Sequence, residues 1–137
     1  MINFSVEGIP KSRQGIKTTV RKNQVGKHFA MHYHPSGDPA SLWLERVLVE
    51  AQQHRLPELI TGPLCLKLTF RILRLKSHPR KRVYPTHKPD LKALAWAIED
   101  LLQGIIYKND SQVVHQDFRK VFTDNNPGVN IGIMEME

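Results

Sequence analysis

Apolar and polar residues alternate from Ile2 to Ile9, with Ile2, Phe4 and Val6 on one side and Asn3, Ser5 and Glu7 on the other. That is the period of a half-buried strand. The same period returns more strongly from Leu64 to Ile72, where Leu64, Leu66, Leu68, Phe70 and Ile72 alternate with Cys65, Lys67, Thr69 and Arg71. Between them the spacing changes. Leu44, Val47, Leu48 and Ala51 fall at helical intervals, behind Asp38-Pro39, a capping oxygen followed by a proline suited to a first turn. This helix should stop before Pro57. A second helix is predicted from Pro89-Asp90 to about Gln103, with the stripe Leu91, Leu94, Ala95, Ile98, Leu101 and Leu102, and Gly104 as its stop. A turn at Lys108-Asn109-Asp110 leads into a strand from about Gln112 to Phe122. The turn Asn125-Asn126-Pro127-Gly128 then leads into a last strand marked by Val129, Ile131 and Ile133.

The order β-α-β-α-β-β predicts one α+β domain over residues 1–137, a mixed sheet carrying two main helices. Residues 10–37 show no clear period and are expected to be a basic, flexible segment. No apolar run approaches the roughly 20 residues that span a bilayer. The first residues lack the layout of a secretory signal, so an intracellular, cytoplasmic setting is expected. The single cysteine, Cys65, excludes an internal disulfide and a cysteine-rich zinc site, and its apolar surroundings predict a buried small residue.

Charge changes the picture by its distribution. The formal net charge is +7. Residues 1–34 carry six Lys/Arg against Glu7, and residues 71–89 carry seven with no acid. From Ile98 onward seven acids face three Lys/Arg. Such segregation suits a protein that holds a polyanion with one region and uses carboxylates in another. The basic loop at about 74–89, with Arg80, Lys81, Arg82 and Lys88, and the cations Lys11 and Arg13 are the predicted nucleic-acid contacts. They would hold phosphates without reading bases.

Two carboxylates stand at element ends: Asp90 opens the second helix and Asp110 sits in the turn beyond it. Brought together, they suit Mg2+, which prefers oxygen ligands and commonly takes one or two carboxylates. The local alternative is that Asp90 caps its helix and Asp110 stabilises its turn. His32-Tyr33-His34 offers two imidazoles but no further ligands, so a transition-metal site is not expected. Trp43, amid Leu44, Val47 and Leu48, reads as core or dimer interface rather than a base-stacking platform.

The segments Lys88-Pro89-Asp90-Leu91 and Asp100-Leu101-Leu102-Gln103-Gly104, with Tyr107-Lys108-Asn109-Asp110-Ser111-Gln112-Val113, resemble the signature of the RusA family of Holliday junction resolvases. Arg119-Lys120-Val121, Asn126-Pro127-Gly128-Val129 and Gly8-Ile9-Pro10 with Lys11 and Arg13 are similar to it as well. The resemblance implies a homodimer that binds four-way DNA junctions and nicks paired strands symmetrically with Mg2+. It also implies a bacterial or phage setting. It gives Asp90 and Asp110 as the catalytic and metal-binding aspartates. Asp100 also matches a family aspartate, but helix rise sets it about 15 Å along the axis from Asp90, so it reads as structural.

The chain departs from that pattern at Lys92 and Asn109, where the family has aspartates, at Trp96 for a lysine, and at Ala93 for an asparagine. His115 occupies a strand position that is often acidic. Lys92 is four residues from Trp96, so the two share a helix face, and Lys92 is expected to contact phosphate. These changes motivate a second expectation, a junction-binding protein with impaired catalysis. A third, RNA binding, ranks last because the chain lacks the aromatic pattern of an RNA-recognition sheet.

Overall fold

The computed structural model describes residues 1–13, 17–22, 28–33 and 40–137, the two short stretches as backbone only. The elements are β1 (Ile2–Glu7), β2 (Lys17–Lys22), β3 (His28–Tyr33), α1 (Ala40–Gln53), β4 (Leu64–Leu73), α2 (Leu91–Leu102), β5 (Val113–Thr123) and β6 (Gly128–Glu135). A 3-10 turn at Asp110–Gln112 leads into β5.

Four strands form a mixed sheet in the order β1-β6-β4-β5. β6 pairs antiparallel with β1 and with β4, while β5 runs parallel to β4. A parallel neighbour requires a crossover, and α2 supplies it. The α+β expectation therefore holds, with every expected element within a few residues of its predicted bounds. One expectation is corrected. The 10–37 segment, read as lacking any period, contains a two-stranded antiparallel ribbon of β2 and β3. Its pattern escaped notice because Lys17-Thr18-Thr19-Val20-Arg21-Lys22 carries one aliphatic residue in six. The Asp38-Pro39 cap lies outside the described residues, as do the side chains of His32 and His34.

Register decides which side chains meet the helices. Phe4, Val6, Leu66, Leu68, Phe70, Val129, Ile131 and Ile133 are buried on one sheet face, against α1 and α2. Each such burial contributes about 1.5–3 kcal/mol. Trp43 is buried in this core, as is Cys65 within its strand. On β5 the residues opposite Leu66, Leu68, Phe70 and Ile72 are Gln116, Phe118, Lys120 and Phe122. Two polar side chains thus lie on the covered face at the sheet edge, where α2 runs past. The opposite face carries Asn3, Ser5, Lys67, Thr69, Arg71, Arg119 and Asn130, and among the described residues it presents no Phe, Tyr or Trp. No described helix is long and apolar enough to cross a membrane.

Candidate nucleic-acid and metal site at the two ends of α2

The approach to α2 is built by the basic loop. Lys120, on the covered face of β5, donates to the carbonyls of His87 at 2.9 Å and Pro89 at 3.0 Å. One ammonium so fixes the backbone on both sides of Lys88. Asp90 is the N-cap residue of α2 by backbone position, yet its side chain makes no capping hydrogen bond. Its carboxylate is 62% exposed and accepts instead from Lys88 Nζ at 3.1 Å. The end of β1 returns here. Ile9, Pro10, Lys11 and Ser12 line an open groove of about 490 Å3 together with Lys88, Pro89, Asp90 and Ala93. The structure therefore gathers Lys11, Lys88 and Asp90, residues far apart in sequence.

The other predicted cations divide. Arg80 pairs with Asp124 at 3.2 Å, an acid that Arg74 also contacts. Arg82 donates to Thr86 Oγ1. Lys81, Lys92 and Arg13 have no acidic partner among the described residues. The exposed Arg80–Asp124 pair is worth little to stability.

At the far end α2 stops on Gly104, whose φ of +80° is the left-handed conformation that glycine adopts without strain. The following loop is tied to Ile60 by the Ile60 N–H to the Ile106 carbonyl and the Lys108 N–H to the Ile60 carbonyl. Asn109, not Asp110, caps the 3-10 turn. Its Oδ1 accepts from Ser111 N at 2.9 Å, and Gln112 Oε1 accepts from Asn109 N at 2.7 Å. The Asp110 backbone N–H donates to Gln103 Oε1, and its exposed carboxylate has no hydrogen-bond donor among the described residues. So both local alternatives fail: neither aspartate's carboxylate is consumed in capping.

Glu99 and Asp100 join Asp110 at this end. Gln116 Nε2 donates to both Glu99 oxygens, at 3.1 and 3.3 Å. Partial burial raises the Glu99 pKa, Gln116 opposes that rise, and nearby Asp110 adds to it. Tyr107, fully buried, donates its hydroxyl to the Glu99 carbonyl. Burial and then the charges of Glu99, Asp110 and Asp100 push its phenol far above the ordinary range. Asp100 accepts from Gln103 Nε2 at 3.1 Å.

One expectation is overturned. Asp90 and Asp110 do not converge within a chain. Asp90 stands at the start of α2 and Asp110 is held by Gln103 at its end, so at about 1.5 Å rise per residue they lie about 20 Å apart. Among the described residues no group of three or more His, Cys, Asp or Glu is placed to hold a metal.

Comparison with known proteins gives this geometry a context. The family model for endodeoxyribonuclease RusA matches residues 7–134. The chain belongs to the RusA endodeoxyribonuclease family. It is also similar to the uncharacterized protein YqaN of Bacillus subtilis (strain 168), at 29% identity over 147 residues, covering 98% of this chain and 96% of that one.

Against the RusA pattern, the departures now have places. Lys92 and Trp96 both lie exposed on α2, Trp96 by 57%. Asn109 has become the cap of the 3-10 turn, a role its side-chain amide suits. His115 is exposed on β5 beside Cys65. Reading the sequence missed Glu99, Gln116 and Lys120, and it missed His78 and His87 in the basic loop. The signal for Glu99 was its place beside Asp100 at a helix end. For Gln116 and Lys120 it was polar residues four apart in a strand, hence on one face.

Proposed function

We propose that two copies of this chain form a Mg2+-dependent endonuclease for four-way DNA junctions, with each active site shared between the copies. The observation that carries this reading is that α2 is charge-complementary to itself. Around its start stand Lys92 and the neighbouring Lys88 and Lys11 with Asp90, around its end Glu99, Asp100 and Asp110, and the exposed Trp96 lies midway. Two such helices packed antiparallel about a two-fold axis set the basic end of one against the acidic end of the other. Asp90 of each copy then faces Asp110 of its partner. The separation of about 20 Å along the helix within a chain becomes a reason for pairing.

Asp90 and Asp110 fit Mg2+ as hard oxygen donors whose carboxylates are free of capping duty. When bound, the ion neutralises phosphate charge and supplies an activated water. The protein's own groups do the rest. Lys11, Lys88 and Lys92, with Arg13, Lys81 and Arg82, hold backbone phosphates, and Lys120 fixes the turn that presents Asp90. The two-fold axis matches the symmetry of a junction and gives paired nicks.

A second reading is favoured by Lys92 and Trp96: a junction-binding member of the family with impaired cleavage, since a lysine beside Asp90 repels a divalent cation.

The test is a nicking assay on labelled four-way and linear duplex DNA, with and without Mg2+, using Asp90→Asn, Asp110→Asn and their mixture. Each variant alone should bind but not nick. The mixture should recover nicking, because a mixed pair retains one intact site. Nicking by both single variants rejects the residue assignments, and failure of the mixture to recover rejects the shared site. Binding without nicking at any Mg2+ or Mn2+ concentration establishes the second reading.

A further inference from the structure

The basic loop carries a ring cluster that neither the family match nor the proposed chemistry uses. His78 and His87 stack with centroids 4.4 Å apart and planes 20° from parallel. Phe122, from the covered face of β5, completes the group at 5.1 Å from His78 and 5.9 Å from His87. Arg74 lies over Phe122, its guanidinium carbon 4.5 Å from the centroid.

Each ring is held from behind. His78 Nδ1 accepts from Leu75 N at 2.9 Å while the His78 N–H donates to the Leu75 carbonyl at 3.0 Å, closing a tight turn around the imidazole. The His87 carbonyl is clamped by Lys120. Phe122 is anchored by its strand, and its N–H donates to the Val83 carbonyl at 2.9 Å. Phe122 and His78 are partly buried, whereas His87 is exposed at the outside of the group. Desolvation, with Lys120 and His78 nearby, lowers the His87 pKa, which favours the neutral imidazole. The result is a backed, solvent-facing ring next to Lys88 and three residues before Asp90.

We propose that His87, supported by His78 and Phe122, is a stacking platform for an unpaired nucleobase at the branch point of the DNA held by the Asp90 groove. The inference rests on the DNA-binding part of the proposed function and does not need cleavage. Its logic is chemical. Arg82, tied to Thr86, and Lys88 flank His87 in sequence and would hold phosphates near the ring, and a branch point is where a base can leave its stack. A base presents a flat face to any ring, so such a platform is indifferent to sequence. A merely structural cluster would not require its outermost ring to stand exposed beside the groove.

The test uses junctions with 2-aminopurine, or an abasic position, at the branch point. On binding the wild-type protein, 2-aminopurine fluorescence should change as the probe stacks. His87→Ala should abolish that change and weaken junction binding roughly ten- to hundred-fold. His87→Phe should retain both. On the abasic junction, wild type and His87→Ala should bind alike. Junction binding with unaltered fluorescence overturns the platform alone, as does an equal loss for His87→Ala on abasic or linear duplex DNA. Failure of the wild-type protein to bind the junction overturns the platform and the functional reading together.

Discussion

Asp90 at its N-cap apart, helix α2 begins among cations and ends among carboxylates, the reverse of what its own dipole favours. Lys92 stands in the first turn, where the dipole repels cations, and Glu99 and Asp100 stand in the last, where it repels anions. Each such placement costs about 0.3–1 kcal/mol at an exposed site. Helix stability therefore explains Asp90 at the N-cap but not Lys92, Glu99 or Asp100. The two ends also differ in how they are braced. The start is held from below by Lys120 and opens onto a groove, whereas the end is closed over the buried Tyr107 and pinned to Ile60. Arrangements that oppose local preference are where function is to be sought. Here they make one end of the helix the electrostatic complement of the other, and a second copy is what could use both.

The largest effect that would break this comparison is expected at Trp96. Because the ring is 57% exposed, Trp96→Glu should leave the fold and its thermal midpoint nearly unchanged. At the centre of a paired interface the same change should be severe, since buried tryptophans are leading hot spots. Sedimentation velocity should show the dimer giving way to monomer, with junction affinity down roughly 100-fold. A dimer that survives with unchanged affinity would remove α2 from the interface and leave its charge pattern without a partner.

Lys120→Met strikes the braced start of the helix and should come next. It leaves the His87 and Pro89 carbonyls without their donor, at a cost of about 1–3 kcal/mol in stability, the lower end applying where water enters. Junction affinity should fall as well, because Lys88 and Asp90 lose their fixed positions. Lys120→Arg should recover most of both. Equal losses in Lys120→Arg and Lys120→Met would mean that shape rather than hydrogen bonding matters there.

The fold was legible because its signals are local. Strand alternation in Leu64–Ile72, the α2 stripe and the Gly104 stop are each written in consecutive residues, and the structure places elements there. The β2–β3 ribbon was not legible, since strands of Lys, Thr and Arg carry no apolar period. At the candidate site, the importance of Asp90 and Asp110 was read from position and resemblance. Their separation was also implicit in helix rise, the same arithmetic that set Asp100 apart from Asp90. Glu99, Gln116 and Lys120 were invisible for a different reason. Their significance depends on β5 lying against α2, a pairing fixed by the parallel register with β4 rather than by any nearby residue.

The smallest effects test the two helix ends against each other. Lys92→Asp replaces an opposed charge with a favoured one at the start of α2 and should stabilise the fold by about 0.3–1 kcal/mol. Glu99→Gln should add a few tenths at the other end, and its pH dependence is the sharper readout. Partial burial and Asp110 raise the Glu99 pKa above the ordinary 4.5. Below that ordinary value the carboxyl is neutral in both folded and unfolded chains, and its burial carries no charge penalty. As pH rises the unfolded chain ionises first, so stability is lost as pH climbs through the raised folded pKa. The glutamine variant has no such proton, so denaturation midpoints for the two proteins should coincide at low pH and separate, with the variant the more stable, on the way to pH 7. If the curves run parallel across that range, the end of α2 is not electrostatically strained, and the contrast with its start must rest on the lysines alone.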